Sequence, residues 1–460
     1  MDLLLHRKQF VIARRPVAVD PSWISVPLAE GWILSYQQDL PVEVDRRVPD
    51  APEVLIGARL CADPATGCGA GRYARVRWPR VSGDAAALLG LHVGRSGGEF
   101  VVASSPAIAM LALTGEIPPF DIDDPLAHPG NGNYLPSPGT RWRAVRRLFC
   151  DQEIDLRTGA VEHADHGIRP LAGFDAARDV AATELARFAE ELKSRIPGTV
   201  FLPLTAGLDS RTVAAAFLAA GLRFETVTFR YMGKPVTDVR IAAAISRRFG
   251  LTHHILDLEP ARPGIAALVE QHTCGAVLGW DIKELIPGNA YRYQRPGDAM
   301  IAAGCFELGR QYFARYFSGL DCSSPDFPAA LGAEIFARDA FTPFLADWRD
   351  WRGAHPEGLD WINAFYLDQR LGGWRAALEQ GYDLLPALVL NPANNARVYS
   401  ALVTPEPAEQ ADGRLQKAMI ARLEPRLARF PVNPPTLGAR LWRMRRSLAR
   451  HLGPVLGRTG

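Results

Sequence analysis

Up to about residue 160 the apolar positions come in short runs: 10–13, 31–36, 86–93 and 99–103. Turn formers separate them, among them Arg95-Ser-Gly-Gly98 and Pro129-Gly-Asn-Gly-Asn133. Short runs bounded by Gly, Pro and Asn predict strands, and a succession of them predicts sheet packed on sheet. A last hairpin is expected from a strand over 146–154, a turn over 155–159 and a return over 160–162.

The pattern changes after His163. Residues 164–173, which include His, Gly and Pro, read as a linker. Leu185, Phe188 and Leu192 then share one face of a helix over 176–194. Beyond it strands over 199–204, 224–229 and 254–258 alternate with helices over 210–220 and 238–249, the latter ending at a Gly250 C-cap. A further buried strand covers 299–303, and from about Ala329 the chain reads as mostly helical. Strand–helix alternation implies a parallel sheet covered on both faces. The expected fold is therefore α/β overall: a β-rich sandwich over 1–163, a linker over 164–173, and a parallel α/β domain with a helical extension over 174–437. Residues 438–460 form a basic tail, in which Leu441, Met444, Leu448 and Leu452 make an apolar stripe beside Arg443, Arg445, Arg446 and Arg450. Such a tail is compatible with a membrane surface, a polyanion or a carrier partner, and also with a docked terminal helix whose basic face is solvated.

Composition narrows the classes. The chain has 460 residues, ample for two domains. No stretch approaches the ~18 uninterrupted apolar residues of a membrane span. Basic and acidic residues number 52 and 50, a balance that argues against a dedicated nucleic-acid binder. The cysteines, at 61, 68, 150, 274, 305 and 322, show neither C-x-x-C nor finger spacing. The first residues, Met-Asp-Leu-Leu-Leu-His-Arg-Lys, do not read as a signal peptide. A reduced, cytoplasmic protein is expected, and a homo-oligomer. Lysines are few (8, 193, 234, 283, 417), so any chemistry that needs one has few candidates.

The chemistry concentrates in Leu204-Thr-Ala-Gly-Leu-Asp-Ser-Arg211, between a strand and its helix. Thr205, Ala206 and Gly207 are small enough for a tight turn whose N–H groups converge at a helix N-terminus, an anion site. Ser210 is placed to cap the helix and to donate to a phosphate. Asp209 is the odd member, because a carboxylate repels a phosphate, and Mg²⁺ between them is the usual resolution. A plain strand-to-helix turn with Asp-Ser as N-cap is the alternative.

The segment resembles the pyrophosphate loop S-G-G-x-D-S of the asparagine synthetase family and its ATP-pyrophosphatase relatives, with Thr for Ser and Ala for Gly. Thr226-Val-Thr-Phe229, Asp238-Val-Arg-Ile-Ala-Ala243 and Phe249-Gly-Leu-Thr-His-His-Ile255 resemble the strands and helix that follow in that family. Trp142-Arg-Ala-Val-Arg-Arg-Leu148 and Asp155-Leu-Arg-Thr-Gly159 resemble the end of its class II (Ntn-type) amidotransferase domain. The resemblance implies an adenine-nucleotide-binding synthetase domain and an ATP-dependent, AMP-forming carbon–nitrogen ligase, with ATP and Mg²⁺ as cofactors. Small-molecule or peptide carboxylates and amines would be its substrates. It implies that Leu204 to Arg211 hold pyrophosphate and that Thr228 and Phe229, with Leu204, lie near adenine.

The sequence departs from that family in four places. Residue 2 is Asp where the glutaminase has its cysteine, so a degenerate N-terminal domain is expected, as in β-lactam synthetases and lasso-peptide cyclases. The stretch Ile301-Ala-Ala-Gly-Cys-Phe-Glu-Leu-Gly-Arg-Gln-Tyr312 resembles S-G-x-G-x-D-E-L-F-G-G-Y, with Gly304, Glu307, Leu308 and Tyr312 aligned but Phe306 where the metal-holding Asp belongs. Glu307 is the candidate to join Asp209 at the metal, and Arg310 the candidate to face a phosphate or carboxylate. Lys417 takes the family's late lysine that stabilises developing charge, with Arg414 as its alternate. Arg211 faces either the phosphates or Asp238. Two other readings stay open: a non-catalytic nucleotide-binding scaffold, and an enzyme fed ammonia by a separate subunit.

Overall fold

The computed structural model describes residues 4–47, 52–63, 66–121, 134–231, 236–258, 264–274, 294–336, 339–356 and 358–434. The first part of the chain forms two six-stranded antiparallel sheets. One runs β10-β8-β9-β1-β3-β2, from β1 (Phe10–Ala13), β2 (Trp23–Pro27), β3 (Ile33–Gln37), β8 (His92–Ser96), β9 (Glu99–Ala103) and β10 (Val145–Arg147). The other runs β12-β11-β7-β6-β5-β4, from β4 (Val42–Asp45), β5 (Glu53–Leu60), β6 (Ala70–Arg77), β7 (Arg80–Gly83), β11 (Gln152–Asp155) and β12 (Val161–His163). Phe10, Ile12, Leu34, Val54, Ile56, Val76 and Val102 meet between them. Val11 and Ala13, on the other face of β1, pack under helix α1 (Pro106–Thr114). That is why the strand Phe-Val-Ile-Ala is apolar at every position rather than at alternate ones.

Helix α2 (Phe174–Arg195) buries Ala177, Ala181, Leu185, Phe188 and Leu192 and leads into a five-stranded, wholly parallel sheet. Its order is β15-β14-β13-β16-β17, built from β13 (Val200–Pro203), β14 (Glu225–Tyr231), β15 (His253–Leu258), β16 (Ala299–Ile301) and β17 (Leu388–Leu390). Helices α3 (Asp209–Ala219) and α4 (Thr237–Phe249) connect the first three strands, and Gly250 closes α4 at φ 66°. From β13 the chain adds strands outward to one side, then returns to add β16 and β17 on the other. The carboxyl ends of β13 and β16 therefore frame the switch point, where parallel sheets open a ligand crevice. Helix α5 (Ile265–Thr273) and a mainly helical stretch over 305–429 complete the described part.

The two parts share a core, in which Leu60, Ala86, Leu88 and Tyr134 pack with Leu367, Leu371 and Leu390. At this junction Arg72 of β6 reaches Asp383 at 2.8 Å and Glu379 at 3.3 Å, all buried.

Several expectations need correction. Residues 86–91 are buried but not a strand, because the Asp84 carboxylate gathers the N–H groups of Ala86, Leu88 and Leu89 at 2.9–3.2 Å and turns the chain. The expected strand over 146–154 is two strands in different sheets, β10 and β11, and only β11 pairs with β12. Helix α1 and strand β17 were not expected. The basic tail, the 129–133 turn, Lys234 and Lys283 lie outside the described residues. Among the described residues no helix is long and apolar enough to cross a membrane.

Candidate functional site

The loop between β13 and α3 is tied by its own side chains. Ser210 does not cap α3. Its Oγ accepts from the Thr205 N–H at 3.1 Å and lies 3.1 Å from Thr205 Oγ1. Thr205 Oγ1 accepts from the Gly207 N–H at 3.1 Å. Asp238, at the start of α4, accepts from the Ala206 N–H at 2.8 Å. A carboxylate on a loop N–H marks that N–H as an anion-binding group. Arg211 meets neither a phosphate position nor Asp238: fully buried, it donates to the carbonyls of Phe430 (2.7 Å), Pro431 (3.0 Å) and Ala206 (3.1 Å). The Asn433 N–H also bonds the Ala206 carbonyl, so 430–433 braces the loop from outside.

Across the switch point, the turn Cys305–Arg310 follows β16 and forms the opposite wall. Arg310 pairs with the Asp209 carboxylate, and Gln416 Nε2 donates to the same Oδ1 at 2.7 Å. Burial pushes the Asp209 carboxyl up to about 6; Arg310 opposes the rise and Glu307 adds to it. The Nε of Arg310 is buried without an acceptor among the described residues. Glu307 accepts from the Tyr366 hydroxyl at 2.6 Å. Gly304 is where a Cβ would stand 2.6 Å from the Arg375 guanidinium, which pairs with Glu379 at 2.5 Å.

The expected Mg²⁺ site does not fit these residues. Phe306 is wholly buried in the core. Asp209 is taken by a guanidinium and an amide, and Glu307 by a phenol. A divalent ion on Asp209 would stand against the charge of Arg310. A second acidic cluster, Cys150, Asp151 and Asp368, is filled by Arg352, which pairs with both carboxylates at 2.7 Å.

The remaining site residues are spread out. Leu204 is buried and its carbonyl accepts from Thr228 Oγ1 at 2.7 Å. Phe229 packs beside Leu258 and Ala302. Lys417 is half-exposed and pairs with Asp412 at 2.7 Å, while Arg414 pairs with Glu409 and stacks on Phe174. Their helix, Arg414–Leu423, reaches the loop through Gln416 instead. Sequence reading missed Gln416 and the brace at 430–433; the only signal for the former was its place beside Lys417. His253 and His254 bond Thr226 and Glu225 on separate faces of the sheet. Of the aromatic stretch 361–374, Phe365 and Tyr366 are buried, and Arg370 stacks on Trp374 at 3.6 Å. Asn395 caps the helix Ala396–Leu402, and Asn391 bonds Glu379.

The arrangement brings a small-residue loop, two hydroxyls and a guanidinium together at the mouth of a parallel sheet. It suits a polyanion. Neither a protein-family model nor a curated protein matches the sequence. Among solved structures, the chain is similar to a glutamine-dependent NAD+ synthetase from Acinetobacter baumannii in complex with ADP. That likeness is 14% identical over 37% of this chain and 31% of the other, with a TM-score of 0.22, so it spans about a third of the Acinetobacter protein. It is also similar to an NMN synthetase from Francisella tularensis, 11% identical over 56% of this chain and 99% of the other, with a TM-score of 0.23.

Proposed function

We propose that the chain is an ATP-dependent ligase that activates a substrate carboxylate as its acyl-adenylate and joins it to an amine. The observation that carries this reading is the 204–210 loop, which meets Arg310 at the switch point of a parallel sheet. The resemblance of Thr205-Ala-Gly-Leu-Asp-Ser210 to the S-G-G-x-D-S loop supports it. A carboxylate oxygen would attack the α-phosphorus, the bond to the bridging oxygen would break, and pyrophosphate would leave. The amine would then attack the acyl carbon, AMP would leave, and the ammonium product would lose a proton.

In this reading the backbone of Thr205 to Leu208 and the hydroxyls of Thr205 and Ser210 hold the pyrophosphate. Asp238 yields the Ala206 N–H when the ligand arrives. Arg310 stabilises charge as it develops on the leaving group, in a site that excludes much of the solvent. Adenine would rest at the carboxyl ends of β13 and β14, near Leu204 and Thr228. The substrate pair is a carboxylate and an amine, small or peptidic, and the β sandwich supplies a wall rather than chemistry.

ATP–pyrophosphate exchange, screened against panels of carboxylates, tests the proposal. Label from pyrophosphate should enter ATP only when a carboxylate substrate is present. Cleavage of ATP to ADP, with no exchange for any carboxylate, would contradict it. A second reading, a nucleotide-binding scaffold, is favoured by the buried Phe306 and the engaged Asp209; it predicts binding of ATP with no exchange.

A further inference from the structure

The switch-point loop has one carboxylate facing it from α3, and that carboxylate is already occupied. Asp209 pairs with Arg310 and accepts from Gln416 on the same oxygen. Glu307, the other acidic group of this wall, is held by the Tyr366 hydroxyl. The position one residue earlier, Phe306, points into the core with no exposure. The two carboxylates expected to hold the metal, Asp209 and Glu307, are thus both engaged, and Arg310 brings a positive charge to the place where the metal would neutralise phosphate.

Arg310 is built into that place. It ends the Cys305–Arg310 turn, and the residue before it, Gly309, passes so close to the Leu402 carbonyl that a Cβ would stand 2.6 Å from that oxygen. Just after it, Gln311 bonds Gln410 at 2.8 Å. The turn is therefore fixed on both sides of the guanidinium. One of its donors is spent on Asp209, and its buried Nε has no acceptor among the described residues. A planar guanidinium that meets the 204–210 loop through Asp209 matches the oxygens of a phosphate chain once that carboxylate gives way.

We propose that Arg310 stands in for the divalent cation, so that this site binds polyphosphate through a guanidinium rather than through a metal on Asp209 and Glu307. In the unliganded chain Asp209 keeps the guanidinium neutralised. A polyphosphate competes with Asp209 for it, and Asp209 acts against binding instead of for it. The inference rests on the proposed function only in taking polyphosphate as the ligand.

Calorimetric titration of the full chain with ATP and with inorganic pyrophosphate, once with MgCl2 and once with EDTA, tests the proposal. The wild type should bind in EDTA within about threefold of its affinity in Mg²⁺. Arg310→Met should weaken binding by about tenfold to a hundredfold in both buffers, the range for loss of a charge-assisted hydrogen bond, and Arg310→Lys should restore part of it. Asp209→Asn should tighten binding, since it removes a competing anion and keeps a hydrogen-bond acceptor. Circular dichroism and thermal melting check that each variant is folded. Binding that needs Mg²⁺ and that weakens in Asp209→Asn would overturn the proposal while leaving the ligase reading standing. Absence of binding in both buffers, for the wild type and for folded Asp209→Asn alike, would overturn both.

Discussion

Lys8 shows what one side chain does at the junction of the two parts. It sits at φ 55° before β1, almost wholly buried, and its Nζ donates to the carbonyls of Leu385 at 2.6 Å and Ala387 at 2.5 Å. Burial pushes its ammonium down to about 7, against the partial opposition of Asp383. The unfolded chain keeps an ordinary lysine near ~10.4. Between these values the unfolded state binds the extra proton, so stability rises with pH there. The contribution is complete above the unfolded value and is lost as the pH falls through the folded one. The slope from this group approaches about 1.4 kcal/mol per pH unit. Urea unfolding at about pH 7.5 and about pH 9 should show that slope flattened in Lys8→Met; an unchanged slope would contradict the burial of a neutral amine. The residue scale is also where sequence reading reached least far. Asp209, Ser210 and Glu307 could be nominated from a motif. Which group each one touches is not written in the motif: Asp209 meets Arg310 and Glu307 meets Tyr366, both far along the chain, while Ser210 turns back onto Thr205. Lys417 and Gln416 are neighbours in sequence, and the turn of one helix sends only Gln416 to the loop.

At the scale of elements the pattern was more legible. The 3.6-residue rhythm of α2 and the alternation from β13 to β15 come from burial on defined faces, which leaves a mark on the sequence. Strand β17 has three residues, too few to show a period, and 86–91 looks like a strand because it is apolar, although a buried carboxylate turns it. Helix α1 carries its signals, with Ser105 accepting from the Ile108 N–H, Pro106 in the first turn and Gly115 at φ 87°. Its apolar residues are spread all round it, and such a helix has no polar face to distinguish it from a buried strand. The element that matters for the site is the Cys305–Arg310 turn, and its geometry depends on Gly309. Gly309→Ala puts a methyl against the Leu402 carbonyl, a backbone atom that cannot swing aside. The turn would shift and carry Arg310 off the loop. The expected result is roughly tenfold weaker ATP binding, with about 1–3 kcal/mol of stability lost to overpacking. Titration and thermal melting of the variant check both; wild-type affinity would show that Arg310 does not need this turn.

At the scale of the whole molecule, strand order decides where the site lies. The sequence implied a parallel sheet, but no local pattern says that β16 returns beside β13 instead of continuing past β15. That choice is made by the shared core and by buried ties such as Arg72 to Asp383 and Glu379, whose partners lie about three hundred residues apart in the chain. It brings residues 204–210 and 305–310 face to face at the one place where a parallel sheet opens. ATP is expected to bind there. Hydrogen–deuterium exchange of the full chain, with and without ATP, locates the ligand without knowledge of the other substrates. Slowed exchange is expected at the amides of 204–211 and 305–311 together, with little change in the β sandwich. Protection elsewhere, with both of these segments unaltered at saturating ATP, would contradict it.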